Sequence, residues 1–534
     1  MKYAVNSKEM KKIDEYSVEV CSIPALDLME RAANQVVDVM KEKLDKADRI
    51  LAVCGPGNNG GDGVAAGRIL YLQGYHVAIL FIGEEEKATK ATKIQLEKAK
   101  KLGVPFENSN KLTEYNIIID ALLGVGLSRD ITGTYEAIIR SINEMDSTVY
   151  AVDIPSGISC DYGKVMNVAV RSDYTITFGH QKLGLVLYPG AEYAGSITIA
   201  DIGFGVEAID KVKPEFIYYE RSDIRHLPKR YNYSNKGTYG KVLVVAGSKG
   251  MSGAAYFSAK AAYRTGAGLV KILTSEENRI ILQSLLPEAL YSAYDNSKLC
   301  EKEQQEQLLK EIKWADTIVI GPGIGLSSMA KRLVNTVITT ANVPVIIDAD
   351  AITILSNRLN EEELLIKDQY LSEEIEKNRV DLRLHARLKY LESILPNETI
   401  LTPHLMELSR LLDIPITEIT NNLVDTAYQC SYNNKLIYAL KDARTIVAHQ
   451  ENKYINVSGN NGMATGGSGD VLTGIIASLV AQGMDSFKGT CLAVYLHGLA
   501  GDVAAEEKGK YSMMASDILN SIEKVINKKA SDKL

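Results

Sequence analysis

Short apolar runs alternate with helical patterns along this chain, and they do so in two separate blocks. In the first block the runs are RILAVCG, HVAILFIG, NIIIDALLG, VYAVDIP and YTITFG, separated by stretches such as EAIIRSINEM. The second block restarts at GKVLVVAGS and continues through LVKIL, DTIVIGPG, VPVIIDADA and ETILTPH. A strand that is apolar from end to end is buried on both faces, which implies a parallel sheet covered by helices on each side. Two such domains are expected, because 534 residues exceed what one core commonly organises. The expected class is therefore α/β, with a first three-layer α/β/α domain over residues 1–213 and a second α/β domain over 236–530. Between them the polar, Tyr-rich stretch YYERSDIRHLPKRYNYSNKGT reads as a linker, placed at 214–235. The runs GDVLTGIIASLVAQG and TCLAVYLHGLAGDVAA read as two buried helices, and the charged segment 356–397 as a peripheral helix whose heptad-like leucines could pack on the domain or on a partner.

Composition narrows the partners. A net charge of −7 argues against nucleic acid, because a phosphate backbone calls for a basic surface. No apolar run approaches the roughly 18 residues of a membrane span, and the opening MKYAVNSKEMKKIDEYSV has no apolar signal core. Six scattered cysteines form no CxxC pair, so a reduced, cytoplasmic protein without structural zinc is expected.

The stretch CGPGNNGGDGVAAGRIL follows an apolar strand, and its Gly55, Gly57 and Gly60 spell the dinucleotide pattern GxGxxG of a Rossmann-like domain. Gly60, Gly61 and Gly63 permit a pyrophosphate to approach a helix start, and Glu84 stands where a ribose-binding acid could. Asn58, Asn59 and Asp62 point elsewhere, since their oxygens suit a hydroxyl, a carboxamide or a hard cation. Two further strand ends carry similar groups. IIIDALLGVGLSRD places Asp120 before Gly124, Gly126, Ser128 and Arg129, and AVDIPSG supplies Asp153 and Ser156. Any one of these aspartates could simply cap a helix or form a turn. Three polar loops at the carboxyl edge of one parallel sheet make a site.

In the second block the informative stretch is NGMATGGSGDVLTGIIASLVAQG. Gly466, Gly467, Ser468 and Gly469 let backbone N–H groups converge at a helix start, where the helix dipole adds about half a positive charge. Asp470 at the lip of that anion hole suits a base that deprotonates a hydroxyl while a phosphoryl group transfers. The plain alternative is a Gly-rich turn with Asp470 as its cap. No GxxxxGK[ST] phosphate loop is present.

The pieces SIPALDLMERAA, GPGNNGGDG, DALLGVGLSRD and VDIPSG, in that order, resemble the NAD(P)H-hydrate epimerase family. The resemblance implies that Asn58, Asn59, Gly60, Gly61 and Asp62, with Gly124, Val125, Gly126, Leu127, Ser128, Arg129 and Asp130, hold the hydrated dinucleotide. It implies a potassium site at Asn59, Asp120 and Ser156, and a substrate contact at Asp153, which can shuttle a proton. The GxGD ending around Asp470 resembles the ribokinase-like small-molecule kinases. Within them, YGKVLVVAGSKGMSGAAYFSAKAAYRTGAGLV, IGPGIG, VIIDADAI, ILTPH and YLHGLAGDVAA resemble the ADP-dependent NAD(P)H-hydrate dehydratases. That likeness implies Gly253, Ala254, Gly325, His404 and Asp470 at the hydrate, and Lys441, Asp442, Ala443, Arg444, Thr445, Gly467, Ser468 and Gly469 at the nucleotide. It departs after TPH, where Leu405, Met406 and Glu407 replace the usual Pro-Gly-Glu.

The function expected from these resemblances is repair of hydrated NAD(P)H. The first domain would interconvert the C6 epimers. The second would phosphorylate the C6 hydroxyl from ADP or ATP, with Mg2+, and eliminate phosphate. Expected partners are the hydrate and an adenine nucleotide, within a homo-oligomer, and neither nucleic acid nor membrane. The rivals are a ribokinase-like vitamin-precursor kinase carrying a non-catalytic dinucleotide-binding domain, and an NAD(P) oxidoreductase.

Overall fold

The computed structural model describes residues 1–295, 302–362, 379–432 and 434–527. It divides into two compact units, Tyr3–Phe216 and Ile217–Leu534, the latter including Met1–Lys2.

The first unit is built on six parallel strands. Their order is His76–Phe81, Arg49–Cys54, Ile117–Ala121, Thr148–Val152, Tyr174–Phe178 and Ser196–Ala200. Ile50, Ala52 and Cys54 face one core while Leu51 and Val53 face another, so the end-to-end apolar pattern serves helices on both sides. The first strand in this order of the chain, Arg49–Cys54, is flanked by the second and the third. Its loop and the loop after Ile117–Ala121 therefore part in opposite directions, opening a crevice at the carboxyl edge.

The second unit repeats the principle. Seven parallel strands run in the order Leu290–Tyr294, Leu269–Ser275, Lys241–Val245, Thr317–Ile320, Val345–Ile347, Ile400–Leu401 and Ile437–Leu440. The antiparallel strands Ile446–His449 and Asn452–Ile455 extend it. The switch in direction falls between Lys241–Val245 and Thr317–Ile320. Both expected buried helices are present, at Ser468–Ala481 and Ser486–Lys508.

The first part of the stretch expected as a linker packs, while residues 229–235 are exposed. Tyr219 and Ile224 are buried in the second unit's core, and Asp223 is fully buried at a short 3-10 turn. Tyr218 and Tyr219 bury their rings, whereas Tyr231 and Tyr233, farther along, are exposed. Of the charged segment 356–397, residues 363–378 lie outside the described residues. The helix Arg379–Ile394 buries Leu384, Leu388 and Leu391 against the unit, so this end is not peripheral. Arg387 is buried there and donates to Leu411 O at 3.0 Å and to Asn360 Oδ1 at 2.8 Å.

Helix Ser468–Ala481 lies unusually close to helix Ser252–Arg264, because Gly474 has no side chain. A Cβ there would overlap the carbonyl of Ser258 and press on Ala261. Overpacking of this kind costs about 1–3 kcal/mol. Gly474→Val is expected to lower the melting temperature of the second unit by several degrees, and an unchanged thermal melt would contradict this packing.

Candidate active sites

In the first unit, Gly57 caps the helix Asn58–Leu72, so Asn58 to Asp62 form its first turns. Gly60 is required at this approach, since a Cβ would collide with Gly55 O. Asn59 donates Nδ2 to Leu123 O at 3.1 Å, and Gly124 lies over its side chain. Asp120 is fully buried and accepts from Ser156 twice, from Oγ at 2.6 Å and from N at 2.8 Å. Ser156 Oγ in turn accepts from Leu123 N at 2.9 Å. Asn59, Asp120 and Ser156, read separately from three loops, thus meet around Leu123. Burial pushes the Asp120 carboxyl up to about 6, against the opposing pull of the Ser156 hydrogen bonds.

Asp153 holds φ at +65°, a left-handed conformation uncommon for a residue with a side chain. Its Oδ1 accepts from Thr177 Oγ1 at 3.1 Å and Phe178 N at 3.2 Å, and it pairs with Lys182 Nζ at 2.7 Å. Lys182 is fully buried and also donates to Phe178 O at 2.7 Å. Asp62 senses Asp153 and Asp14; burial first, then these charges, raise its carboxyl well above the usual range. Val125 and Leu127 are half-buried, whereas Gly126, Ser128, Arg129 and Asp130 are exposed at the crevice. Glu84 is exposed and pairs with Lys87 at 2.7 Å.

In the second unit the loops part between Lys241–Val245 and Thr317–Ile320, and Ala254 sits against Gly323. Gly253 is exposed beside it at the start of helix Ser252–Arg264. Gly325 N donates to Asp350 Oδ2 at 2.8 Å. His404 is half-exposed at the next strand end. Its Nδ1 accepts from Met406 N and Glu407 N, while Glu407 Oε2 accepts from His404 N, so the pair closes a reciprocal cap on helix Leu405–Leu412. Glu407, in the departing Leu-Met-Glu sequence, is therefore a buried capping residue. Partial burial and the Lys441 charge push the His404 pKa down.

Lys441 Nζ lies 2.6 Å from Asp348 Oδ1, which also accepts from Thr402 Oγ1 at 2.7 Å. Residues 442–445 form the turn that follows, with Asp442 and Ala443 exposed and Arg444 and Thr445 half-buried. A Cβ on Gly469 would stand 3.4 Å from that same ammonium, so the lysine reaches the helix start. Gly467 is the cap, at φ +91°, a conformation that favours glycine. Among the described residues, the first-turn N–H groups of Gly469 and Asp470 take no protein acceptor. Ser468 departs from expectation here. Its N–H is directed to Thr465 O at 3.4 Å because the preceding turn closes on itself, so the open donors are those of Gly467, Gly469 and Asp470. Burial first, then repulsion from Asp348, raises the Asp470 carboxyl to about 7, with Lys441 opposing.

With this geometry in hand, the comparisons decide the family. A family model described as NAD(P)H-hydrate dehydratase matches residues 242–368 and 385–524, and one described as YjeF-related protein N-terminus matches 25–184. The bifunctional NAD(P)H-hydrate repair enzyme of Thermofilum pendens is 33% identical over 97% of this chain and 95% of its own length. Those of Moorella thermoacetica and Escherichia coli are 32% and 28% identical, each over 98% of this chain and over 96% and 94% of their own lengths. The chain belongs to the bifunctional NAD(P)H-hydrate repair enzymes. A solved ADP/ATP-dependent NAD(P)H-hydrate dehydratase from Bacillus subtilis, co-crystallised with ATP/Mg2+, is 27% identical over 58% of this chain and 96% of that chain, with a TM-score of 0.44. Because the family spans both units, the kinase and oxidoreductase rivals no longer account for the chain.

Several groups at these repair-enzyme sites escaped the sequence reading. Asp348 and Asp350 follow a strand in VIIDADA, and Lys182 follows one in YTITFGHQK, so the strand-end rule that found Asp120 could have found them. Asp14 belongs to helix Ser7–Glu19 and carries no such signal.

The Asp470 shift has a consequence for stability. An unfolded chain titrates this carboxyl near 3.9. The folded state binds the proton more tightly, so the stability it contributes is complete below about pH 4 and is lost as pH rises through about 7. Asp470→Asn, which cannot ionise, is expected to melt above the parent at pH 8 and close to it at pH 4. Thermal melts showing no such divergence would contradict the assigned environment.

Proposed function

We propose that the first unit epimerises NAD(P)H hydrate at C6 and that the second dehydrates the S form at the expense of ADP or ATP. The observation that carries the second half is Asp470, a carboxyl poised near neutrality beside open N–H donors and the Lys441 ammonium. A general base works best when its pKa lies near the working pH.

Asp470 accepts the C6 hydroxyl proton as the oxygen attacks the terminal phosphoryl group, and AMP (from ADP) departs. The N–H groups of Gly467, Gly469 and Asp470, with Lys441, balance the charge on the transferring group. Electrons of the ring nitrogen then expel phosphate from C6, and loss of a C5 proton restores the reduced nicotinamide. Gly253, Ala254, Gly325 and His404 line the hydrate, and residues 441–445 the nucleotide. Magnesium, where bound, neutralises the nucleotide phosphates. Such an ion usually keeps several waters and few protein ligands.

In the first unit the same ring nitrogen expels the C6 hydroxyl, and water returns from either face. Asp153, ion-paired with Lys182, supplies a carboxylate that can move the proton. The residues at 58–62 and 124–130 grip the dinucleotide. The Asp120 carboxylate, Ser156 Oγ and Leu123 O offer hard oxygen donors beside Asn59, a set that fits potassium.

Recovery of absorbance at the reduced-nicotinamide band, starting from mixed epimers, tests the reading. Complete conversion is expected with ADP and none without it. Asp470→Asn should cut dehydration by at least about 10²-fold and leave epimer exchange intact. Asp153→Asn should do the reverse, so that conversion stops when the S form is consumed. Full dehydration by the Asp470 variant would refute the assigned base.

A further inference from the structure

The segment YLHGLAGD has no task in the mechanism above. In the structure it lies on helix Ser486–Lys508, where His497, Gly498, Gly501 and Asp502 share one face by their helical spacing. That face meets the loop 456–468, which leads from strand Asn452–Ile455 into the phosphoryl-site helix. Asp502 holds the loop with both oxygens, accepting from Gly459 N at 2.9 Å and from Asn460 Nδ2 at 2.9 Å. Gly501 O accepts from the same Asn460 amide at 3.0 Å, and Tyr495 O from Ser458 Oγ at 2.9 Å. Asn460 then caps the turn Asn461–Met463 by accepting from Gly462 N at 3.0 Å. A Cβ on Gly498 would overlap Ser458, and one on Gly501 would overlap the Met463 side chain, so both glycines admit the loop to the helix surface. At the far end, His497 Nε2 lies 3.3 Å from Ser468 Oγ, the residue between the open donors.

The loop needs such tethers. Gly459, Gly462, Gly466 and Gly467 all fall within it, two of them at positive φ, and glycine-rich backbone loses the most freedom on ordering. Left to itself, it would not hold the Gly467–Asp470 donors in one direction.

We propose that the His497–Asp502 face is a positioning element for phosphoryl transfer, with Asp502 clamping the entry of the loop and His497 its exit. This rests on the reading of Gly467–Asp470 as the phosphoryl site. His497 serves as an uncharged partner, because burial pushes its pKa down to about 4 and the ring stays neutral at working pH. A hydrogen bond from it steers Ser468 without adding charge beside Asp470.

The test is steady-state kinetics of the full chain with S hydrate and ADP, with epimer exchange and a thermal melt recorded on each variant. Displacing catalytic groups by about 1 Å can cost roughly 10²-fold in rate. Asp502→Ala is expected to lower kcat by about that factor and to raise the KM for ADP, while the KM for hydrate stays within about twofold. Asp502→Asn keeps an acceptor for Gly459 N and should recover about tenfold of the loss. His497→Leu should lower kcat with the fold intact, and His497→Gln should recover part of it. Parental kcat and KM in folded Asp502→Ala or His497→Leu would overturn the proposal, as would equal rises in both KM values. Should Asp502→Ala fail to fold, the Leu and Gln variants at 497 decide alone. Asp470→Asn run in parallel separates the two levels. If it is inactive while the 497 and 502 variants behave as the parent, the positioning element fails and the phosphoryl site stands; if it is fully active, the underlying site reading fails.

Discussion

Chemistry at the second unit's sheet edge depends on one ion pair, Lys441 with Asp348. Asp348 is almost wholly buried, where a carboxylate needs polar partners. Lys441 at 2.6 Å and the Thr402 hydroxyl at 2.7 Å are its partners. Asp470 feels both partners: Asp348 pushes its carboxyl up and Lys441 pulls it down, after burial has raised it. The outcome near neutrality is a balance of opposed terms, so a base strong enough to take a hydroxyl proton is still available in its ionised form. The same ammonium stands beside Gly469, where the transferring charge would collect. One lysine thereby stands beside both the proposed base and the proposed anion hole.

The first unit meets the problem of buried carboxylates in two ways. Asp120 has no cation beside it among the described protein groups and leans on Ser156, which is a weaker remedy and leaves its pKa raised to about 6. Asp153 has Lys182, a fully buried ammonium whose remaining hydrogen bond goes to Phe178 O. Removing one partner of a buried pair commonly costs about 3–5 kcal/mol, so the pair holds the strained Asp153 backbone in place as well as its charge. An oxygen-rich pocket with a reluctant carboxylate invites a cation. Asp153, paired with Lys182, is the carboxylate proposed above to move the proton.

Much of this was legible in the chain. End-to-end apolar strands gave both parallel sheets, and parallel sheets oblige every loop after a strand to share one edge. Asn59, Asp120, Ser156 and Asp153 could therefore be assembled from separate loops before any coordinates, as could Asp470 from its run of small residues. What stayed hidden depended on distance along the chain or on local closure. Lys441 and Asp348 are 93 residues apart, and nothing in either neighbourhood announces the other. The Ser468 N–H looked available because its neighbours are small, but the turn at Thr465 consumes it. The Tyr-rich 214–235 stretch looked like a linker because its polar residues interrupt the periodicity, while Tyr219 and Ile224 near its start join the core. Pattern reveals faces and ends; it does not reveal partners.

The pairing of the two activities follows from the chemistry each unit can perform. Expulsion of hydroxide by a ring nitrogen is reversible and needs no nucleotide, so the first unit can only equilibrate epimers. Phosphorylation before expulsion makes the second reaction one-way, because phosphate leaves far more readily than hydroxide. On the proposed reaction, Asp470 and the phosphoryl group flank the C6 oxygen, and one configuration at that carbon satisfies both. The other epimer would accumulate as a dead end unless something returned it to the mixture. A catalyst that only equilibrates is sufficient for that, provided the irreversible step keeps withdrawing one form. The first unit therefore needs no driving force of its own, and its modest machinery of one paired carboxylate and a bound ring is matched to the task.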